Sequence, residues 1–375
     1  MFNRSIKTVL FVIFPILFLS FVQYANAQTV PSVAPKPIFM KAQVDGIVSE
    51  KANPYSNYKS TIQVFNVTIL DGPNAGKSVQ VNYDSQNIPN LMLSSGDTVI
   101  LSETTNAAGQ AQFSVEDTYR LTPVIIITVA FIILVFLIAG LKGLGSFAGL
   151  AISILIIFSY IVPQILSGAD PLTVCMIGAV GILLVTTYTA HGFSKQTTIA
   201  LASTFVALIA TYIFSILFVK LSLLTGYVDE NSISLHFGTG HTIDIKGLLL
   251  GGIVIGTLGA LNDITITQTA TVFELSKTDS SLSTKLLFKK GMRVAREHVV
   301  SLINTLVLAY AGSSLSVFII LFFNSGYYPL WVILNSETLS EEIIRTIAGT
   351  TGLLLVVPVV TIIASHFASQ KVKSV

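Results

Sequence analysis

Between Gly251 and Leu275 the chain reads GGIVIGTLGALNDITITQTATVFEL, a glycine-rich apolar run into which amide, hydroxyl and carboxylate side chains are set. On a helix, Asp263, Thr267, Ala270 and Glu274 fall at i, i+4, i+7 and i+11, so two carboxylates and a hydroxyl share one stripe, with Asn262 and Gln268 beside it. A carboxylate inside a membrane segment is costly enough that its default reading is functional, as a group that binds and releases a proton or a cation. The competing reading makes Asp263 a helix cap at the membrane interface. Downstream, a helix would align Arg293, Glu297, Ser301, Asn304 and Leu308 at i, i+4, i+8, i+11 and i+15. Two such helices side by side would enclose a polar path formed by Asp263, Asn262, Thr267, Gln268, Glu274, Ser301 and Asn304, with Asn304 the expected partner of Asp263. Arg293 or Arg296 would balance Glu274 or Glu297 and close an inner gate. In the simpler alternative, Arg293 and Arg296, with Lys285, Lys289 and Lys290, meet anionic lipid headgroups from the loop 276–298, each contributing about 1 kcal/mol near the surface.

The same stretch, together with GMRVAREHVVSLINTLVLAYAG from Gly291 to Gly312, resembles the YibE/F family of bacterial multi-pass membrane proteins. The resemblance is strongest from about Pro123 to His366. It implies an integral membrane architecture and assigns no activity.

The elements that must position these residues follow from composition. The 375 residues are 52% hydrophobic and 11% charged, where a soluble domain carries roughly 25% charged residues. Mean hydropathy is +0.76. Spans of roughly 20 apolar residues are expected at Pro123–Leu141, Leu144–Leu166, Leu172–Ala190, Thr197–Val219, Gly247 to about Thr271, Val299–Phe323 and Arg345–His366. This is a polytopic α-helical membrane bundle of about seven spans over 121–375. Gly252, Gly256 and Gly259 permit close helix packing, either within the bundle or across a seam between copies.

Ahead of the bundle, Arg4 and Lys7, the apolar run Val9–Val22 and Ala25-Asn26-Ala27 read as a secretory signal peptide over 1–27. Residues 28–120 read as a small extracytoplasmic all-β domain of five strands, with an OB-like barrel as one arrangement. Its Gly72–Ser78 segment has three residues between glycine and Gly-Lys where a phosphate loop needs four, and it precedes a strand, so a hairpin turn is expected.

Loop charge then orients the spans. Lys142, Lys195, Lys277, Lys285, Lys289, Lys290, Arg293, Arg296, Lys371 and Lys373 fall in loops that a signal peptide and seven spans place in the cytoplasm. The expected location is thus the bacterial plasma membrane, with the β domain outside and the carboxyl terminus inside.

A net charge of +2 gives no reason to expect nucleic acid, and the single Cys175 excludes an internal disulfide. Asp229, Glu230, His236, His241 and Asp244 lack a recognisable metal-ligand spacing, so no metal and no cofactor are expected. His-Glu-x-x-His, Gly-x-Ser-x-Gly and paired intramembrane aspartates are all missing, which argues against an enzyme. The functional expectation is a transporter or permease-like protein with Asp263 as its proton or cation site. The alternative is a non-transporting assembly protein whose β domain binds an envelope partner; a homo-oligomer fits either.

Overall fold

The computed structural model describes residues 37–52, 61–84, 93–105, 109–228, 232, 234, 235, 242–323 and 326–372. The expected signal peptide, and Asp229, Glu230, His236 and His241, lie outside the described residues. The chain divides into two compact units, one spanning 29–134 and the other containing the helical remainder from Val135.

In the first unit β1 (Ile38–Ala52), β2 (Thr61–Ile69), β3 (Ser78–Asp84), β4 (Thr98–Thr105) and β5 (Ala111–Thr118) form an antiparallel sheet in the order β3-β2-β1-β4-β5. Every second residue points inward. Met40, Ala42 and Val44, then Phe65, Val67 and Ile69, then Val81 and Tyr83, then Val99 and Leu101 are all buried. Irregularities between Val44 and Gly46 and between Ile47 and Ser49 bend β1. β3 is thereby brought up against β5, and the sheet curls into a half-barrel. The Gly72–Ser78 segment is the expected hairpin turn. Gly72 and Gly76 have φ of 81° and 83°, and the Gly76 N–H closes onto the Ile69 carbonyl at 2.8 Å.

Among the described residues six helices are long and apolar enough to cross a membrane. They are α1 (Leu121–Gly140), α2 (Gly145–Leu166), α3 (Pro171–His191), α4 (Lys195–Leu221), α5 (Ile245–Thr278) and α9 (Glu337–Val372). Gly140, with φ of 60°, separates the first two. Of the seven expected spans, Val299–Phe323 differs in form. Here α6 (Thr284–Ser313) and α7 (Leu315–Phe323) meet at a 60° bend, because Gly312-Ser313-Ser314 combines poor helix formers and the Ser314 N–H turns back onto Gly312 and Tyr310. The short α8 (Leu330–Leu334) precedes α9. The basic residues expected in a loop instead lie mainly on the first half of α6, which Ser283 caps through the Leu286 N–H.

Within the helical unit α5 is central, packed by α3, α4, α6 and α9. Over 34 residues it runs without interruption for about 51 Å at 1.5 Å per residue. Close seams in the unit use small residues. A Cβ at Gly251 would stand 2.6 Å from Cys175 Sγ on α3, one at Gly349 2.5 Å from Thr257, and one at Gly352 1.9 Å from Thr211 Oγ1.

Candidate functional site

The polar residues of α5 separate into two sets according to the face they occupy. Asn262, Thr265 and Gln268 face neighbouring helices. The Thr187 hydroxyl on α3 donates to Asn262 Oδ1 at 2.8 Å, Thr204 on α4 and Thr265 share a 2.6 Å hydrogen bond, and Gln268 Nε2 donates to Thr361 Oγ1 on α9 at 2.8 Å and to the Gly291 carbonyl on α6 at 3.1 Å. Between apolar helices such bonds join segments that hydrophobic burial alone does not hold. Asn262 and Gln268, expected along a polar path, are here structural ties.

The second set faces outward. Gly252, Gly256, Gly259, Asp263, Thr267 and Glu274 are all exposed and follow one another at helical spacing, forming a single open stripe along α5. A Cβ at Gly252 or Gly259 would meet nothing within 4 Å, and one at Gly256 would meet only the Tyr310 hydroxyl. These three glycines therefore do not pack within the bundle, where Gly251 makes the close approach instead. Asp263 lies in the interior of a continuous helix, which removes the capping alternative.

His191, the last residue of α3, and His298 on α6 lie within reach of Asp263 for a charge on either ring to be felt there. No hydrogen bond joins Asp263 to the expected partner Asn304 among the described residues, and Ser301 and Asn304 are exposed on α6. His191 also lines a pocket of about 150 Å³ with Ser194, Gln196, Thr197, Ala200 and Ile266, the last one turn from Asp263. The corner forming this pocket is well determined by its sequence. Gly192 ends α3 with φ of 69°, Phe193 stacks on Tyr188 at 4.2 Å, and Ser194 caps α4 through the Thr197 N–H at 3.0 Å.

The expected gate is not formed. Glu274 pairs with Lys277 on its own helix, and Arg293, Arg296 and Glu297 stand exposed without an ion pair among the described residues. A neighbouring lysine three residues on reaches the carboxylate at lower conformational cost than a side chain from another helix. No group of three His, Cys, Asp or Glu is placed to hold a metal ion among the described residues.

The sequence profile of a family described as YibE/F-like protein matches residues 127–370, which covers most of the chain and all of α2 to α6. The chain belongs to the YibE/F-like family. No curated protein and no solved structure matches it. The family match contains Asp263, His191 and His298 and leaves out the whole sheet, so in this YibE/F-like protein the site described above lies inside the family region.

Proposed function

We propose that the helical unit is a permease-like membrane protein in which Asp263 takes up and releases a proton or cation, assisted by His191 and His298. The carrying observation is the position of the Asp263 carboxylate on an exposed, glycine-lined stripe of the central helix, with His191 and His298 within electrostatic reach. An acidic group in such a segment is retained at a cost, and a histidine neighbour changes charge in the physiological range. Loop charge orients the site toward the cytoplasmic rim of the plasma membrane, with the sheet outside behind a signal peptide. The exposed Lys285, Lys289, Lys290, Arg293 and Arg296 then rest against anionic headgroups.

Water access tests this reading. Cys175 is buried, so a cysteine introduced on the stripe reports alone. Thr267→Cys and Gly259→Cys should react with a membrane-impermeant maleimide in intact membranes. Labelling only by a lipid-soluble maleimide would mean a dry, lipid-facing stripe and would end the proposal.

A second reading gives the sheet the working role, as an OB-like module that binds an envelope partner. It is supported by the strand order with β3 against β5 and by the exposed Phe39, Ile47 and Val48 on β1. A chain lacking residues 35–119 that keeps the ion flux of the whole protein would confine activity to the helices. One that inserts but loses all function would favour the sheet.

A further inference from the structure

From Leu315 to Leu334 the chain has no charged residue, and six of these 20 positions are aromatic, against 10% of the whole sequence. The stretch contains α7 and α8. α7 has no buried residue, and in α8 only Ile333 is buried against the rest of the unit. Phe323 is 86% exposed, Tyr327 88% and Trp331 70%. An exposed patch this apolar marks a contact surface.

Its place along the helices indicates the partner. A Cβ at Gly291, early in α6, would meet Val272 and Thr361, whereas the Tyr310 hydroxyl near the end of α6 stands 3.5 Å from the Cβ position of Gly256 and 4.0 Å from that of Gly349. α6 therefore runs antiparallel to α5 and α9, and its basic first half and the start of α7 lie toward opposite ends of the unit. Three residues after α8, Glu337 opens α9, and its Oε1 accepts from the Gly226 N–H at 2.9 Å and the Thr225 hydroxyl at 2.8 Å. A carboxylate held by a connecting loop marks the polar edge of the membrane, because hydrocarbon disfavours its charge. α8 is thus close to that edge. The nine residues of α7 measure about 13 Å and, inclined by 60° to α6, advance only about 7 Å along its axis, roughly a quarter of the hydrocarbon thickness. α7 leans outward below the edge instead of finishing a straight crossing.

We propose that α7 and α8 form an aromatic paddle seated in the lipid interface of the leaflet opposite the basic half of α6. Tyr327, Tyr328 and Trp331 lie at the level of the headgroups and ester linkages, and α7 rests on the acyl chains beneath them. Tyr and Trp join an apolar ring to a polar O–H or N–H, which favours that boundary over both water and hydrocarbon. A protein partner would call for a polar rim around the contact, whereas 20 consecutive residues here carry no charge. The basic half of α6 and the paddle would then hold the same broken span from its two ends, one by charge and the other by aromatic rings. The inference requires the helical unit to lie in a bilayer and is independent of the role given to Asp263.

Trp331 is the single tryptophan of the chain, so the fluorescence of the unaltered full-length protein reports on this position alone. The protein is reconstituted into phosphatidylcholine vesicles whose acyl chains are brominated either close to the ester linkage or close to the methyl end, and aqueous iodide is added in parallel. The emission should lose most of its intensity with bromine near the ester linkage and clearly less with bromine near the methyl end or with iodide. Strongest quenching by iodide would place the segment in water and overturn the proposal. Strongest quenching from the methyl end would place it deep in the hydrocarbon, with the same consequence. Emission that none of the three quenches would mean that protein, such as a second copy of the chain, covers Trp331, and would also overturn it.

Discussion

Thr187 on α3 donates its hydroxyl to Asn262 Oδ1 on α5 at 2.8 Å, one residue before the carboxylate on which the functional reading rests. Consecutive residues of a helix point about 100° apart, so tying Asn262 to α3 turns Asp263 toward the open stripe and holds it there. His191 at the end of the same α3 is one of the two imidazoles within electrostatic reach of Asp263. The bond thus helps fix the direction in which the carboxylate faces.

Thr187→Val keeps the shape of the fully buried side chain and removes the donor. Interhelical hydrogen bonds of this kind contribute about 0.6 to 2 kcal/mol. The expected result is a lower thermal midpoint in detergent and altered maleimide reactivity at Thr267→Cys. An unchanged midpoint would show that Asn262 finds another donor.

The two glycine sets should respond oppositely to alanine. Gly352→Ala places a methyl 1.9 Å from Thr211 Oγ1 in a closed seam and should destabilise by about 1 to 3 kcal/mol. Gly259→Ala meets nothing within 4 Å and should be neutral, or stabilising by up to about 1 kcal/mol through helix propensity. Thermal unfolding of both variants checks the pair. Destabilisation by Gly259→Ala would indicate that a second chain covers the stripe.

In the sheet unit the Arg120 guanidinium donates to Asp117 at 2.6 Å, and this, with the Thr118 N–H, holds the Asp117 carboxyl below the usual carboxylate value. A lowered folded value means stability that is fully present above the unfolded value of about 3.9 and lost as pH falls through the folded one. Asp117→Asn should therefore weaken the sheet slightly at neutral pH, with the difference shrinking as pH falls below about 4 and gone only below the lowered folded value. Circular dichroism of the sheet signal against pH reads this directly.

If the basic face of α6 rests on anionic headgroups, neutralising Lys289 and Lys290 to Gln should reduce the anionic lipid co-purified with the protein, measured by native mass spectrometry. Unfolding midpoints should stay near the wild-type value, because both side chains are exposed and unpaired among the described residues.

Much of this architecture was legible in the sequence. The strands could be read because Val, Ile and Thr alternate inward and outward between Gly and Asp turns, and β1 to β5 are the five strands that alternation predicts. The long apolar helices were legible for the same reason. The continuity of α5 was not, since Gly251, Gly252, Gly256 and Gly259 suit a re-entrant break as well as an open helix face. Within the site, Asp263 and its stripe with Thr267 and Glu274 follow from helical spacing. Its neighbours do not. His191 and His298 belong to other helices at positions that ordinary interfacial residues also occupy. Thr187, Thr204 and Thr361 are single hydroxyls in apolar runs, and nothing in one sequence pairs them with Asn262, Thr265 and Gln268. Lys277 displaced Arg293 and Arg296 as the partner of Glu274 because it lies three residues away on the same helix.

Flux through reconstituted protein tests the central claim most directly. In proteoliposomes containing a pH-sensitive dye, an imposed Na⁺, K⁺ or pH gradient should change the lumen signal with the wild-type protein. Asp263→Asn, at an exposed position, should keep the wild-type unfolding midpoint and abolish the response. Wild-type vesicles indistinguishable from empty ones, or full flux in Asp263→Asn, would contradict the account.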